Sequence, residues 1–292
     1  MTALHKNQIS EWIGGPQQAA KRDMEQLESG KILFFPNLKF NLLEEEKSLL
    51  SPDTTSSKAK NICYDSKKDQ LKGTDLMGLQ RQSLQNMMQR FSSSANSLLL
   101  QVLPEYNDSL MSARTSFRTI QIKGRQSSSL KDDTQLHCDS FPSTPTQGNR
   151  ILRVFTNINP NGESRKWRVG SEPFSKTAER FWNQMSPPFW GSHTLMDMLG
   201  ITRGRRSDYD HYMLCLHNLM KSDPDYQRDV PQEAIDLPPN SSWIVYTDQV
   251  PHAVMAGQYV LEQTFHLPVA GMYDPAKSPL CVLEKLAARK LT

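Results

Sequence analysis

Hydrophobic and polar positions alternate with two different periods along the chain, and residues 1–110 carry mainly the helical one. Apolar residues recur at roughly helical spacing over 78–103, which predicts the longest helix of the chain. A shorter helix is predicted over 16–29 and should end at Gly30. Residues 51–74 are polar and rich in Ser, Lys and Asp, so a surface loop is expected there.

Beyond residue 110 the pattern of hydrophobic and polar positions becomes typical of β-strands. Alternating or β-rich runs predict strands, with proline or polar turns between them. The predicted strands cover 114–122, 149–160, 242–246 and 258–268. We therefore expect a mainly β fold with flanking helices: a double-stranded β-helix (a jelly-roll, cupin-like core) with an N-terminal helical region and a helical insertion. The expected single domain, 1–292, divides into helical support (1–110), a jelly-roll core (111–275) with its insertion at about 174–222, and a C-terminal helix (276–292).

Composition narrows the class of protein. The 292 residues are 37% hydrophobic and 22% charged, with a net charge of +3, which is too mild for a dedicated nucleic-acid binder. Four scattered cysteines form no CxxC pair and are expected to be reduced thiols. The N-terminus lacks the apolar stretch of a signal peptide, and no segment approaches the ~20 apolar residues of a membrane span. We expect a cytoplasmic protein.

The strongest local motif is His137-Cys-Asp139. Residues two apart on a strand point to the same side, so both side chains can face one metal ion. His252 follows a predicted strand and a short turn and can supply a third ligand. Two histidines and one carboxylate, with the remaining coordination positions open, form the facial triad of non-haem Fe(II) oxygenases. We predict His137, Asp139 and His252 as the catalytic metal ligands.

Other interpretations stay open at this point, because a single HxD tripeptide occurs by chance in many chains. A cupin-like barrel can bind a ligand without oxidising it. A cupin isomerase would use zinc or manganese, usually with more histidines. His211 and His217, on a predicted helix, are expected to be packing or surface residues.

The strings around the motif resemble those of a known family. The resemblance rests on four stretches: Lys131-Asp-Asp-Thr-Gln-Leu-His-Cys-Asp-Ser-Phe-Pro-Ser, Arg150-Ile-Leu-Arg-Val-Phe-Thr-Asn-Ile-Asn-Pro, Trp167-Arg-Val-Gly and Leu261-Glu-Gln-Thr-Phe. They look like the hydroxylases of 3-deoxy-D-manno-oct-2-ulosonic acid (Kdo), over roughly residues 115–290. The resemblance implies an Fe(II)/2-oxoglutarate-dependent dioxygenase that uses O2, with ascorbate as a helper, to hydroxylate C3 of a Kdo sugar in lipopolysaccharide (Kdo–lipid A) biosynthesis. A 2-oxoglutarate hydroxylase of a protein side chain or a small metabolite is the alternative.

The resemblance also raises the question of which residue binds 2-oxoglutarate. Many members of the wider superfamily carry an arginine about ten residues after the distal histidine, where this chain has Gln263. We therefore expect the anchor on the strand after the motif, with Arg153 preferred to Arg150 and Arg118 as a third candidate. A guanidinium suits this task because its planar fork pairs with a carboxylate. Thr134 and Gln263 are expected to add hydrogen bonds.

The implied partner is a Kdo-containing lipid A precursor, with peripheral contact at the cytoplasmic face of the inner membrane and no nucleic acid. The C-terminal helix has an apolar face and a few basic residues, so it can either lie on an anionic membrane or pack on the barrel. Its apolar face consists of Leu280, Leu283, Leu286 and Leu291.

Overall fold

The computed structural model describes residues 2–13, 21–124, 132–188 and 204–292. The strands are β1 (Leu4–Lys6), β2 (Ile32–Phe35), β3 (Ile62–Asp65), β4 (Gln70–Lys72), β5 (Met111–Arg118), β6 (Arg150–Asn157), β7 (Arg165–Gly170), β8 (Gln232–Leu237), β9 (Ser242–Tyr246), β10 (His252–Ala256) and β11 (Val260–Leu267). The α-helices are α1 (Lys21–Glu28), α2 (Gly78–Val102), α3 (Phe174–Trp182), α4 (Asp208–Ser222), α5 (Pro224–Asp229) and α6 (Pro279–Ala287).

Two sheets form the core of the protein. The larger has the strand order β1-β2-β9-β6-β11-β5-β3-β4, and the smaller has the order β10-β7-β8. Apolar residues of both sheets meet between them; Phe155 of β6 stacks on Trp243 of β9, and Trp167 of β7 meets both rings edge-on. This arrangement confirms the predicted mainly β fold with a jelly-roll core.

Strand β6 is buried along its whole length because both of its faces are covered. Phe155 faces the smaller sheet, whereas Leu152 and Val154 belong to the apolar cluster on the other side. Helix α2 supplies much of that cluster, and its buried Met87 and Met88 pack as core residues. The predicted longest helix is therefore confirmed, and it supports the outer face of the larger sheet.

Helix α1 ends where the sequence predicted. Gly30 adopts φ +90°, a left-handed conformation that favours glycine and terminates helices. The early part of the helix predicted over 16–29, residues 16–20, lies outside the described residues.

The loop predicted over 51–74 was wrong in part, because β3 and β4 form a hairpin that joins the larger sheet. Strands of three or four residues are too short to give a clear alternation in the sequence. Gly73 lies tightly against this hairpin, where a Cβ atom would be 2.3 Å from the carbonyl oxygen of Asn61. The packing brings residues 57–61 to the wall of the central cavity. The domain boundaries at 110 and 275 stay a prediction.

Helices α3, α4 and α6 share an apolar cluster with Ala253 of the smaller sheet. Part of the predicted insertion at 174–222, residues 189–203, lies outside the described residues. On α6 and the residues after it, Leu283 and Leu291 are buried, and Leu280 and Leu286 pack against the same cluster. The apolar face of α6 is thus covered by the protein itself. Among the described residues, no helix is both long and apolar enough to cross a membrane.

Candidate metal centre

The structure brings His137, Asp139 and His252 together at the smaller sheet. One potential ligand atom from each residue lies within 4.8 Å of the others. His137 pairs with His252, the first residue of β10, through two main-chain hydrogen bonds of 3.1 and 3.0 Å. The amide of Asp139 donates to the carbonyl of Thr247, in the turn before β10, at 2.8 Å. Backbone pairing between segments far apart in the sequence therefore sets the positions of the three side chains.

Each histidine of this cluster is oriented by a main-chain carbonyl. Nδ1 of His137 lies 2.7 Å from the carbonyl oxygen of Gln135, and Nδ1 of His252 lies 2.9 Å from that of Val250. Because a carbonyl oxygen only accepts, Nδ1 carries the proton in both rings. Nε2 is then the lone-pair nitrogen of each ring, as metal coordination requires.

The protonation states of the cluster suit a divalent metal. Burial lowers the pKa of His137 and of His252, which favours neutral imidazoles. Burial alone would raise the pKa of Asp139, but the adjacent Arg153 guanidinium holds it below its usual range, so the carboxylate is ionised. Its buried Oδ2 accepts no hydrogen bond among the described residues, although Nη2 of Arg153 lies 3.0 Å away. Oδ1, the other oxygen, lies 3.7 Å from Nε2 of His137. A carboxylate oxygen beside two lone-pair nitrogens fits a metal ion.

The cluster opens onto a cavity of about 740 Å³. Among the described residues of its wall, cationic side chains outnumber carboxylates by six to three. The cations are Lys58, Lys60, Arg118, Arg153, Arg165 and Lys221, and the carboxylates are Asp133, Asp139 and Glu262. Such an excess of positive charge in a concave site attracts anionic ligands.

Two of the predicted 2-oxoglutarate residues, Arg153 and Arg118, line this cavity, and both already have carboxylate partners. Nε and Nη2 of Arg118 donate to one oxygen of Glu262 at 2.9 and 2.6 Å. Arg153 reaches the other oxygen of Glu262 at 3.2 Å and also contacts Asp139. Burial would raise the pKa of Glu262, but the two arginines lower it. Glu262, which the sequence analysis missed, thus links both candidates.

The other three predicted 2-oxoglutarate residues are not among the described residues that line the cavity. Gln263 follows the cavity-lining Glu262 on β11 and points to the opposite face, where it accepts from Thr115 at 2.5 Å. The hydroxyl of Thr134 donates to Asp132 at 2.8 Å. Arg150 is completely buried and paired elsewhere.

Arg150 instead braces the turn that precedes β10. Its Nε donates to Asp248 at 2.7 Å, and its Nη2 donates to Gln249 at 2.7 Å. The side-chain Nε2 of Gln249 donates in turn to the main-chain carbonyl of Glu28, at the end of α1. This turn contacts Asp139 and leads into His252, so the buried ion pair supports the geometry of the cluster indirectly.

Arg165 is a cavity residue that the sequence analysis did not single out. It is only 3% exposed, and it makes no ion pair with any carboxylate in the described part of the chain. Its Nη1 donates to the carbonyl of Gly257 at 2.6 Å, while its buried Nε has no described partner. Burial and the nearby Arg118 lower the pKa of Arg165 to about 9. Arg165 is thus a buried guanidinium in the cavity wall with an unused Nε donor.

Two aromatic rings that the sequence analysis did not assign to the site flank the three proposed metal ligands. Trp167 stacks on His252, with ring centroids 5.2 Å apart. Arg165 and Trp167 are alternate residues of one strand, a spacing visible in the sequence as a shared face. His217, expected to be a packing or surface residue, instead lines the cavity beside His137.

Comparisons with known proteins identify the family. The family model for Kdo hydroxylase matches residues 13–290. The chain is similar to the Kdo hydroxylase KdoO, a non-heme Fe(II) alphaketoglutarate-dependent dioxygenase, in a crystal structure of its complex with alphaketoglutarate and Fe(III). The two sequences are 46% identical, and the TM-score is 0.95 over 99% of this chain and 97% of that one. The cobalt(II) complex of KdoO is 47% identical, with a TM-score of 0.96 and the same coverage. No curated protein matches the chain at a significant level. The predicted resemblance is confirmed, and the chain belongs to the Kdo hydroxylase family.

Proposed function

We propose that this protein is an Fe(II)/2-oxoglutarate-dependent dioxygenase that hydroxylates C3 of a Kdo sugar during lipopolysaccharide biosynthesis. The observation that carries the proposal is the buried cluster of His137, Asp139 and His252 at the wall of a cationic cavity, in a chain of this family. The cluster supplies the donor set, and the cavity supplies room and charge for anionic ligands.

His137, Asp139 and His252 would hold the iron. Two neutral imidazoles and one carboxylate offset only one of the two charges of Fe(II) and leave coordination positions for other ligands. Bound iron, with 2-oxoglutarate and O2 and with ascorbate as a helper, supplies the oxidising chemistry. The protein's own task is to orient the ligands, and Arg153 contributes by holding the second carboxylate oxygen of Asp139.

Arg165 is our proposed anchor for 2-oxoglutarate, in place of Arg153. The guanidinium groups of Arg153 and Arg118 are engaged by Asp139 and Glu262. Arg165 keeps a buried charge without a carboxylate among the described residues, so an incoming carboxylate would compensate it. The anchor would then lie on β7, not on the strand that carries Arg153.

The position of Arg165 along β7 supports this assignment. Trp167, which stacks on His252, is two residues from Arg165. Two residues of a strand span about 7 Å. That separation suits a short dicarboxylate, with its 2-oxo acid end near the histidines and its other carboxylate at the guanidinium.

We further propose that the sugar substrate is part of a lipid A precursor, reached by peripheral contact at a membrane surface in the cytoplasm. The apolar face of α6 is buried and would not take part. The cationic side chains of Lys58 and Lys60, on the segment that closes one side of the cavity, suit the negative charges of such a substrate. Sedimentation with anionic vesicles, but not with neutral ones, would support this contact.

Turnover tests the proposed reaction. The purified protein with Fe(II), ascorbate, O2 and 2-oxoglutarate is given Kdo–lipid A, and lipid A without Kdo serves as the control. We expect succinate release to rise only with the Kdo substrate, and the product to gain one oxygen atom at C3. Equal succinate release with both lipids, or an unmodified sugar, would contradict the proposal.

A further inference from the structure

His217 is a histidine beside the proposed metal ligands to which the proposed function gives no role. It lies on α4, and its ring meets that of His137 nearly edge-on, with centroids 5.0 Å apart and planes inclined by 76°. Its side chain lines the same cavity as the cluster. A polar ring at this point faces the space where the substrate must approach the metal.

The main chain determines which nitrogen of His217 is available to a ligand. Nδ1 lies 2.8 Å from the carbonyl oxygen of Cys138. Because that oxygen only accepts, Nδ1 carries the proton and donates it. Nε2, on the opposite edge of the ring, therefore carries a lone pair and acts as a hydrogen-bond acceptor.

An acceptor is useful in this cavity because the carboxylates of its wall already face cations. Asp133 pairs with Lys60 at 2.6 Å, and Glu262 pairs with the two arginines described above. Asp139 belongs to the proposed metal site. The neutral Nε2 of His217 can accept from a hydroxyl without adding another charge next to the metal.

The helix holds this acceptor in a defined position. The first turn of α4 is closed by a capping box in which Ser207 and Asp210 bond reciprocally. Three neighbours of His217 on this helix are buried in the apolar cluster shared by α3, α4 and α6: Met213, Leu216 and Met220. A side chain with a tethered Nδ1 on a packed helix is preorganised for one direction of hydrogen bonding.

We propose that Nε2 of His217 accepts a hydrogen bond from a hydroxyl of the substrate and thereby orients the carbon to be oxidised toward the metal. The inference rests on the proposed function. In a Kdo unit, C3 carries no hydroxyl, and the neighbouring C4 does, so the C4 hydroxyl is the donor. His217 is a specificity-determining residue that distinguishes this sugar from one without that hydroxyl.

The loss of this hydrogen bond has a distinctive consequence. A substrate that binds without the correct orientation still permits consumption of 2-oxoglutarate, but its own C–H bond is presented poorly. His217→Phe should raise the KM for the sugar by about 3- to 10-fold, which is the change in affinity expected from the loss of one neutral hydrogen bond. The ratio of hydroxylated product to succinate should fall below that of the wild type. Affinity for Co(II) and for 2-oxoglutarate should stay within about twofold.

The experiment compares wild type with His217→Phe, His217→Gln and His211→Phe. Glutamine retains both a donor for the Cys138 carbonyl and an acceptor for the sugar, so it should restore part of the coupling. His211 is the matched control, since it lies on the same helix and contacts the carbonyl of Ser186 at 2.9 Å outside the cavity lining. A Kdo substrate lacking the C4 hydroxyl is tested alongside, and its defect should not add to that of His217→Phe.

Each outcome separates the two proposals. A wild type that leaves the sugar unmodified would refute the proposed function and this inference together. An active wild type with a fully coupled His217→Phe and an unchanged KM would overturn the role of His217 alone. Loss of Co(II) affinity in both His217→Phe and His217→Gln would also overturn it, because it would make the residue part of the metal site.

Discussion

Replacing Arg165 by methionine is a sharp test of the proposed 2-oxoglutarate site. The substitution removes a charge that is 97% buried while keeping a long apolar side chain. Arg165 makes no ion pair with a carboxylate in the described ranges. The folded protein without ligand should therefore tolerate Arg165→Met, with a urea midpoint equal to or above that of the wild type.

The loss of ligand affinity should be large by contrast. Removing one partner of a buried charge pair in an interface costs about 2–5 kcal/mol. With 1.4 kcal/mol for each factor of ten, the Kd for 2-oxoglutarate should rise by about 30-fold or more. Arg165→Lys keeps the charge but loses the planar fork, so its Kd for 2-oxoglutarate should lie between those of the wild type and Arg165→Met.

Calorimetric titration of 2-oxoglutarate into the Co(II)-loaded protein measures these constants without turnover. Lys166→Met is the matched control, because Lys166 is the exposed neighbour on the same strand. A Kd for Arg165→Met within about threefold of the wild type would refute the assignment. A greater loss in Arg118→Met than in Arg165→Met would transfer the anchor to β5.

Two further predictions concern the ion pairs around the site. Arg150→Met leaves Asp248 buried without its partner, so it should lower the free energy of unfolding in urea by about 3–5 kcal/mol. Arg228→Met breaks an exposed ion pair and should leave the urea midpoint unchanged. Equal losses of stability in the two variants would contradict this prediction. Glu262 has a folded pKa below its unfolded value of about 4.3, so its stabilisation is complete above that pH and disappears as the pH falls through the folded pKa. The difference in unfolding free energy between wild type and Glu262→Gln should stay constant from pH 7 to about 5 and shrink below about pH 4. A difference that already shrinks between pH 7 and 6 would contradict this prediction.

The parts of the fold that the sequence predicted well have strong local patterns. Strand β9 coincides with its predicted bounds, and α2 differs by one residue at its end. His137 and Asp139 were placed on one face by their spacing alone. The third member, His252, was recognisable because a strand and turn lead directly to it.

The errors arose where the outcome depends on distant partners. Both faces of β6 are buried, so the sequence gives no alternation to show which of its arginines faces the cavity. Arg150 is drawn away by Asp248, which is 98 residues distant in the chain. Arg165 is proposed only because the structure shows a buried cation without a carboxylate partner among the described residues. That is a property of packing and not of local sequence.

We expect His137, Asp139 and His252 to hold iron together with 2-oxoglutarate. Anaerobic addition of Fe(II) and 2-oxoglutarate tests it through the visible absorption band of the iron–2-oxo acid complex. We expect the band in the wild type and in Asp236→Ala, which changes an exposed aspartate of β8, and its loss in Asp139→Ala. Absence of the band from the folded wild type, or its full retention in Asp139→Ala, would contradict an iron site at these three residues.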